Sequence, residues 1–341
     1  MFSYIVQRLL IMIPTLLVIS ALTFIIIQAP PGDYLSALMD EARATGDTSA
    51  LDRAEFLKRE FGLDRPMLEQ YGTWLGILPG PHGFNGILQG NLGWSFEYWR
   101  PVDEVVGDRL FLSIVLNLAV VLFVYMVSFP IGVYTAVRQY SLGDHTMTLV
   151  GYIGLATPNF LLALVLMWLA KQYFGTSFGG LMDEQYIEQP WSLAKVGSVV
   201  EHLIVPVIVI GTSGTAGMIR RLRANLLDEL QKQYVVTARA KGLKNSRLLI
   251  KYPLRMALNP FIADIGSLLP QMISGSAIVA YVMSLPTSGP MLIDALRSQD
   301  QYLAGSFLLF MAFLTVIGML ISDLALAVLD PRIRLGGEAN R

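Results

Sequence analysis

The chain has 341 residues, 54% of them hydrophobic and only 15% charged, where an ordinary soluble domain carries roughly 25% charged residues. Its formal net charge of -1 gives no basic excess for nucleic acid and no global attraction for acidic substrates. The absence of cysteine excludes disulfides, zinc–thiolate centres and cysteine nucleophiles, and His82, His145 and His202 are too far apart in sequence to form a ligand-spaced pair, so no metal site is expected.

In chain order, Arg8 is followed by the uncharged run Leu9–Ile27. That run exceeds the about 7 to 15 residues of a signal-peptide core and lacks a clean cleavage site, so it reads as a retained first span. Crossing roughly 30 Å of hydrocarbon takes about 20 apolar residues in a helix, because backbone polar groups cannot be left unpaired in lipid. Further candidates are Leu110–Val137, Thr146–Ala170, Leu203–Ile219, about Ile262–Met283, and Tyr302–Ser322. The fourth is the weakest, interrupted by Pro206, Gly211, Gly214 and Gly217. Pro130 and the Thr157-Pro158 pair are expected to kink their helices. The fold class is therefore an all-α membrane protein with about six transmembrane helices.

Basic residues should concentrate in short cytoplasmic loops. With the N-terminus inside, the inner segments hold fifteen of the 25 Lys and Arg residues, ten of them between Arg220 and Arg255. Both termini are thus expected in the cytoplasm. The organisation reads as residues 1–29, an N-terminal segment with the first helix; 30–109, an extracytoplasmic segment; and 110–341, a transmembrane core that includes a cytoplasmic loop at 220–260.

The 30–109 segment is too long and patterned for a bare linker. Asp52–Phe61 reads as a short helix stopped at Gly62, with a turn at Asp64-Arg65-Pro66 and a Gly/Pro-rich stretch from Gly76 to Gly93. A small folded cap is expected, in which Trp74, Trp94 and Trp99 serve as interfacial anchors or partner contacts.

The inner loop carries ten basic and two acidic residues from Arg220 to Arg255, a composition that also suits anionic lipid. Leu226–Ala240 is expected to form a helix, Gly242 to cap it, and Ser246–Arg255 to form a second short helix. Two helices joined at a glycine make a knob suited to a socket in another protein.

The sequence Tyr234-Val235-Val236-Thr237-Ala238-Arg239-Ala240-Lys241-Gly242-Leu243, with Tyr252-Pro253-Leu254-Arg255-Met256-Ala257-Leu258-Asn259-Pro260, resembles the cytoplasmic signature of binding-protein-dependent ABC importer permeases. The likeness is greatest to the dipeptide and oligopeptide branch. It extends through Ser284-Leu285-Pro286, Asp294-Ala295 and Leu329-Asp330-Pro331-Arg332-Ile333-Arg334. Nearer the N-terminus it includes Arg8-Leu9-Leu10, Ile13-Pro14-Thr15, Pro31-Gly32-Asp33 and Gly90-Asn91-Leu92-Gly93-Trp94-Ser95. Two departures are plain: the family signature begins Glu-Ala-Ala where Val236-Thr237-Ala238 stands, and Gly-Leu-Gly is common where Thr287-Ser288-Gly289-Pro290 follows the Leu-Pro pair.

The resemblance implies a type I permease fold in the bacterial inner membrane. It implies a permease subunit rather than an enzyme, paired with a second homologous permease, two ABC ATPase subunits and an extracytoplasmic solute-binding protein. Tyr234, Thr237, Ala238, Arg239, Ala240, Lys241 and Gly242 would form the ATPase-docking loop, with small Ala238, Ala240 and Gly242 allowing close approach. No cofactor is expected on the chain itself. It has no Gly-x-x-x-x-Gly-Lys-Ser/Thr loop, so ATP and Mg would act through the partner ATPases. Peptides are the first cargo implied; Gln28–Leu35 is reminiscent of the oligosaccharide members, which keeps that cargo open.

Polar residues inside spans mark either a translocation path or hydrogen bonds between helices. Asn117, Thr157, Asn159, Gln271, Ser274 and Ser276 are the candidates. Asp264 and Asp323, near span ends, more simply pair with arginine or face water. Two other functions compete. Gly211-Thr212-Ser213-Gly214 resembles the nucleophile segment of rhomboid-type intramembrane serine proteases, yet no histidine follows His202 to serve as base. A secondary transporter or channel should show paired intramembrane charges or an inverted repeat, and neither is visible.

Overall fold

The computed structural model describes residues 2–81, 83–175, 179–187, 189–263 and 277–329. Helix α1 (Phe2–Gln28) leads to α2 (Tyr34–Thr45), α3 (Thr48–Glu60) and α4 (Met67–Leu75), then to an antiparallel ribbon, β1 (Trp94–Ser95) against β2 (Arg100–Pro101). The long α5 (Val102–Val137), the pair α6 (Leu142–Ala156) and α7 (Asn159–Phe174), and the long α8 (Leu193–Leu230) follow. Short helices α9 (Gln233–Ala240), α10 (Asn245–Lys251), α11 (Pro253–Ala257), α12 (Asn259–Ala263) and α13 (Ala277–Val282) come next. The described chain ends with α14 (Ser288–Arg297) and α15 (Gln301–Leu329). Two structural units result, Met1–Leu112 with Thr287–Ile317, and Ser113–Pro286 with Gly318–Arg341.

Among the described residues four helices are long and apolar enough to cross a membrane unbroken: Leu10–Gln28, Val102–Val137, Leu193–Leu230 and Gln301–Leu324. The expected third span, Thr146–Ala170, is not one straight helix. It is the pair α6 and α7, bent by 99°. Proline disfavours the helical conformation of the residue before it, and Thr157 is extended at φ -81°, ψ 120°. At Pro130, by contrast, α5 continues without a break. Most of the span expected at Ile262–Met283 lies outside the described residues.

In the first unit, the segment after α1 folds into three helices where the sequence suggested one. Asp33 caps α2 by accepting from the Ser36 N–H, and Asp47 caps α3 by accepting from Ser49 and Ala50. The second cap starts α3 four residues ahead of Asp52, while Gly62, at φ +66°, follows its end as expected. The Gly-rich stretch is held against α4: a Cβ on Gly86 would stand 2.3 Å from the Gly76 nitrogen. Gln89 clamps both, accepting from the Gly86 N–H at 2.9 Å and donating to the Gly76 carbonyl at 3.1 Å.

Trp74 is not an interfacial anchor. It is buried against Phe24, Tyr71 and Leu309, and its indole N–H donates to Ser306 Oγ at 3.3 Å. A buried indole requires an acceptor, and α15 supplies it. Trp99 does stay partly exposed, beneath the Arg53 guanidinium at 5.3 Å. The fully buried Asp300 joins the ribbon to α15: its carboxylate accepts from Ser95 Oγ (2.7 Å), the Glu97 N–H (3.0 Å) and the Leu303 N–H (3.1 Å). Burial pushes its carboxyl above the usual range despite these bonds.

In the second unit, α8 is a single helix of 38 residues, more than twice the expected Leu203–Ile219. Its glycines do not break it, and two of them, Gly211 and Gly214, are contact points. A Cβ on Gly211 would lie 2.5 Å from Phe123 Cδ1, and one on Gly214 would lie 3.3 Å from Val124 Cγ2. Close approach of this kind drives helix association where lipid removes the hydrophobic force. At 1.5 Å per residue α8 is ~57 Å long, against a hydrocarbon layer of roughly 30 Å. Its basic end therefore extends well beyond the apolar layer.

Two outcomes follow. Asp300→Ala strands at least two buried N–H donors and should destabilise the first unit by about 3 kcal/mol, read as faster limited proteolysis within residues 30–109; Asp300→Asn, which keeps one acceptor, should cost less than half as much. Because the folded pKa is raised, this carboxyl's contribution is present in full below about pH 3.9 and is lost as pH rises through the folded value, a slope that Asp300→Asn should abolish. Gly211→Leu should overpack α8 on Phe123 and cost about 1–3 kcal/mol, seen as a lower melting temperature in detergent than Gly217→Leu, where an added Cβ meets nothing within 4 Å.

Candidate functional site

The basic segment beyond α8 folds as an elbow. The helix expected over Leu226–Ala240 is instead interrupted: α8 ends at Leu230, Lys232 is extended at φ -68°, ψ 147°, and α9 starts at Gln233. No glycine or proline marks this corner in the sequence. The Tyr234 hydroxyl donates across it to the Glu229 carboxylate, and burial together with that carboxylate pushes the phenol up.

Gly242 ends α9 in the left-handed conformation, at φ +77°. Its N–H donates to the Arg239 carbonyl (3.0 Å), and the Leu243 N–H donates to the Ala238 carbonyl (3.3 Å). That double bond pattern is the Schellman motif, and Leu243 supplies its apolar contact by packing on Val235, Ala238 and Leu248. The glycine is required for its φ angle, since a Cβ there would meet nothing within 4 Å.

One face of α9 builds the elbow and the other is left open. Val235 is 1% exposed and Ala238 7%, so Ala238, singled out as a small contact residue, faces the elbow's own core. Tyr234, Thr237, Arg239, Ala240, Lys241 and Gly242 are exposed. Arg239, Lys241, Lys244 and Arg247 have no carboxylate partner among the described residues. The elbow is fixed to the long helices beneath it, because Ala257 and Phe261 share a core with Leu222, Leu226 and Ala136, flanked by Leu249 and Leu254. Arg221 lies over the Phe261 ring at 4.6 Å.

The polar span residues do not converge on one site. Asn117 is buried and donates to the Ser113 carbonyl of its own helix at 2.8 Å. Thr157 donates to the Ile153 carbonyl at 2.8 Å, at the α6–α7 bend. Asn159 donates to Ser213 Oγ at 3.2 Å, linking α7 to α8. Gln271, Ser274 and Ser276, like Asp264, lie outside the described residues. Among the described residues no group of three His, Cys, Asp or Glu could hold a metal ion.

Two polar clusters were missed from the sequence because their members are far apart along it. Buried Asp144 accepts from Arg223 Nη2 at 2.9 Å and from the Tyr140 N–H at 2.8 Å, tying the turn before α6 to α8. At the other end of α8, Lys195 donates to the carbonyls of Ile187 (3.2 Å) and Gln189 (2.7 Å), and Ser198 donates to Asp183 at 2.8 Å. His202 accompanies them, with Nδ1 2.9 Å from the Ser198 carbonyl. A capping Ser141 just before Asp144 was the one local signal for the first cluster.

Comparisons with known proteins cover nearly the whole chain. Residues 128–335 match the family described as binding-protein-dependent transport system inner membrane component, and residues 1–119 match the N-terminal region of the same type of membrane component. The oligopeptide transport system permease protein AppB of Bacillus subtilis is 35% identical over 98% of this chain and 99% of its own length. The dipeptide transport system permease protein DppB of Escherichia coli is 30% identical with the same coverage of both chains. The glutathione transport system permease protein GsiC of Pectobacterium atrosepticum is also 30% identical, over 98% of this chain and 99% of its length. A multi-pass helical chain matched from end to end in this way belongs to the binding-protein-dependent transport inner membrane components, in their dipeptide and oligopeptide permease branch.

Proposed function

We propose that this chain is one of two membrane subunits of an ATP-driven importer of peptides, and that its elbow docks on a separate ATPase. The single observation that carries the docking role is the division of α9 into a buried face, Val235 and Ala238, and an exposed face that leads into Arg239, Lys241, Lys244 and Arg247, which have no carboxylate partner among the described residues. A surface that contributes nothing to its own fold is available to a partner. The elbow packs on α8 through α11, where Ala257 meets Leu222 and Leu226, so a force on it is passed to a transmembrane helix.

The rest of the assembly follows from this reading. A second homologous permease completes the path, two ATPase subunits bind ATP and Mg, and a binding protein delivers cargo at the extracytoplasmic side. Both termini and the elbow lie in the cytoplasm, and residues 30–109 lie outside. Relatives named for oligopeptide, dipeptide and glutathione transport support peptides as cargo. The peptidase alternative loses support from Ser213, whose hydroxyl is engaged by Asn159. His202 is eleven residues away along α8, ~16 Å by helical rise.

Two measurements test this reading. In the reconstituted complex, Ala240→Trp should lower ATPase binding and peptide uptake about tenfold or more while the chain keeps its melting temperature; Ala238→Trp should instead lower that temperature, by overpacking the elbow. Full ATPase binding by a stably folded Ala240→Trp chain would remove the docking role. Because the natural chain has no cysteine, single-cysteine variants report sidedness directly. Lys244→Cys should react with an impermeant maleimide only in inside-out vesicles, and Asp40→Cys only in intact spheroplasts; the reverse pattern would invert the topology.

A further inference from the structure

Helices α6 and α8 are closest where a Cβ on Gly154 would stand 2.7 Å from Thr212 Cγ2, and they still touch at Gly151, whose added Cβ would lie 3.9 Å from Ala216. Farther along α8 they part around a cavity of about 120 Å³, whose walls include Met147, Thr148, Tyr152, Ile219, Arg220 and Arg223. This is where α8 passes from an apolar run to a basic one, the level at which lipid headgroups meet a membrane protein.

The charges in this cavity are unbalanced. Arg220 and Arg223 are three residues apart and share one face of α8. Arg221, between them, is turned away onto the Phe261 ring. Arg223 spends one Nη2 on Asp144 at 2.9 Å, while its buried Nε donates to nothing. Arg220 has no partner among the described residues. Asp144 offsets Arg223 and leaves one positive charge at the cavity, together with a buried guanidinium donor that is costly to leave unmade. A single phosphate oxygen pair matches that deficit, because guanidinium groups bind phosphate through paired N–H donors.

The surroundings favour a lipid phosphate over a free one. Met147, Tyr152 and Leu155 border the cavity and are 41%, 55% and 46% exposed, an apolar flank along which acyl chains can lie. Inorganic phosphate at neutral pH would carry more negative charge than the cavity leaves unmatched. We propose that the α6–α8 cavity binds the phosphodiester headgroup of a monoanionic phospholipid, with the exposed Arg220 as donor and the guanidinium of Arg223 beside it in the wall.

The test uses the full chain, delipidated and placed in phosphatidylcholine nanodiscs titrated with phosphatidylglycerol, with bound lipid counted by native mass spectrometry. One phosphatidylglycerol per chain should be retained, and Arg220→Gln should weaken its retention about tenfold or more, the scale of one lost charge-assisted hydrogen bond. Arg138→Gln, an exposed basic residue outside the cavity, should leave retention unchanged. Arg223→Gln also breaks the Asp144 pair, so the Arg220 variant carries the result and the melting temperature is read alongside. Equal weakening by Arg220→Gln and Arg138→Gln would reduce the effect to diffuse surface charge and overturn the site. So would the absence of any retained phosphatidylglycerol, or its displacement by millimolar inorganic phosphate.

Discussion

The architecture of the second unit depends on close approach to α8, which packs against α6, α7 and α11 and meets α5 at Gly211 and Gly214, where an added Cβ would lie 2.5 Å from Phe123 and 3.3 Å from Val124. In lipid the contact cannot draw on expulsion of water, so it must come from dispersion at short range and from hydrogen bonds. Glycine provides the short range, and Asn159 to Ser213 provides one of the hydrogen bonds. Because α8 stays continuous through this contact, its basic end is carried on the same helix as the membrane-embedded part, and the elbow packs against that end. The pair Asp144 and Arg223 adds an electrostatic tie at the same end, and Arg221 on Phe261 adds another.

The first unit uses a different chemistry. Its helices α2 to α4 are short and need stabilisation from elsewhere, which comes from aromatic packing and from α15. Phe61 stacks edge-on against Phe96 at 5.0 Å, Tyr302 donates to the Phe61 carbonyl at 2.9 Å, and Ser306 donates to the Leu92 carbonyl at 2.6 Å. Contacts to α1 complete the set: Tyr71 meets Ser20 at 2.7 Å and Gln28 donates to Gln70 at 2.7 Å. The segment is thus held by groups from both ends of the chain.

Sequence reasoning succeeded where one local rule dominates. Apolar runs located four continuous spans, Gly242 and Gly62 marked helix ends, and Pro158 marked a break. It failed where tertiary contacts override local preference. The glycines of α8 read as interruptions because their neighbours, Phe123 and Val124, lie about ninety residues earlier. The corner at Gln231 and Lys232 carries no breaker residue and depends on packing and on the bond from Tyr234 to Glu229. Trp74 read as an anchor because its acceptor, Ser306, is 232 positions away. Asp144, Asp300 and Lys195 were passed over for the same reason, since a buried charge is recognisable only with its partners.

The two faces of α9 differ in burial, and on the proposed docking reading that separation has an evolutionary meaning. Substitution on the inward side disturbs the elbow itself, whereas Val236, Thr237 and Ala240 on the outward side can change without disturbing it. Under the proposed docking role, varying a handful of outward residues on a shared scaffold would hold the motors of related importers apart. The departure from the Glu-Ala-Ala opening of the family signature falls on two such outward positions, Val236 and Thr237.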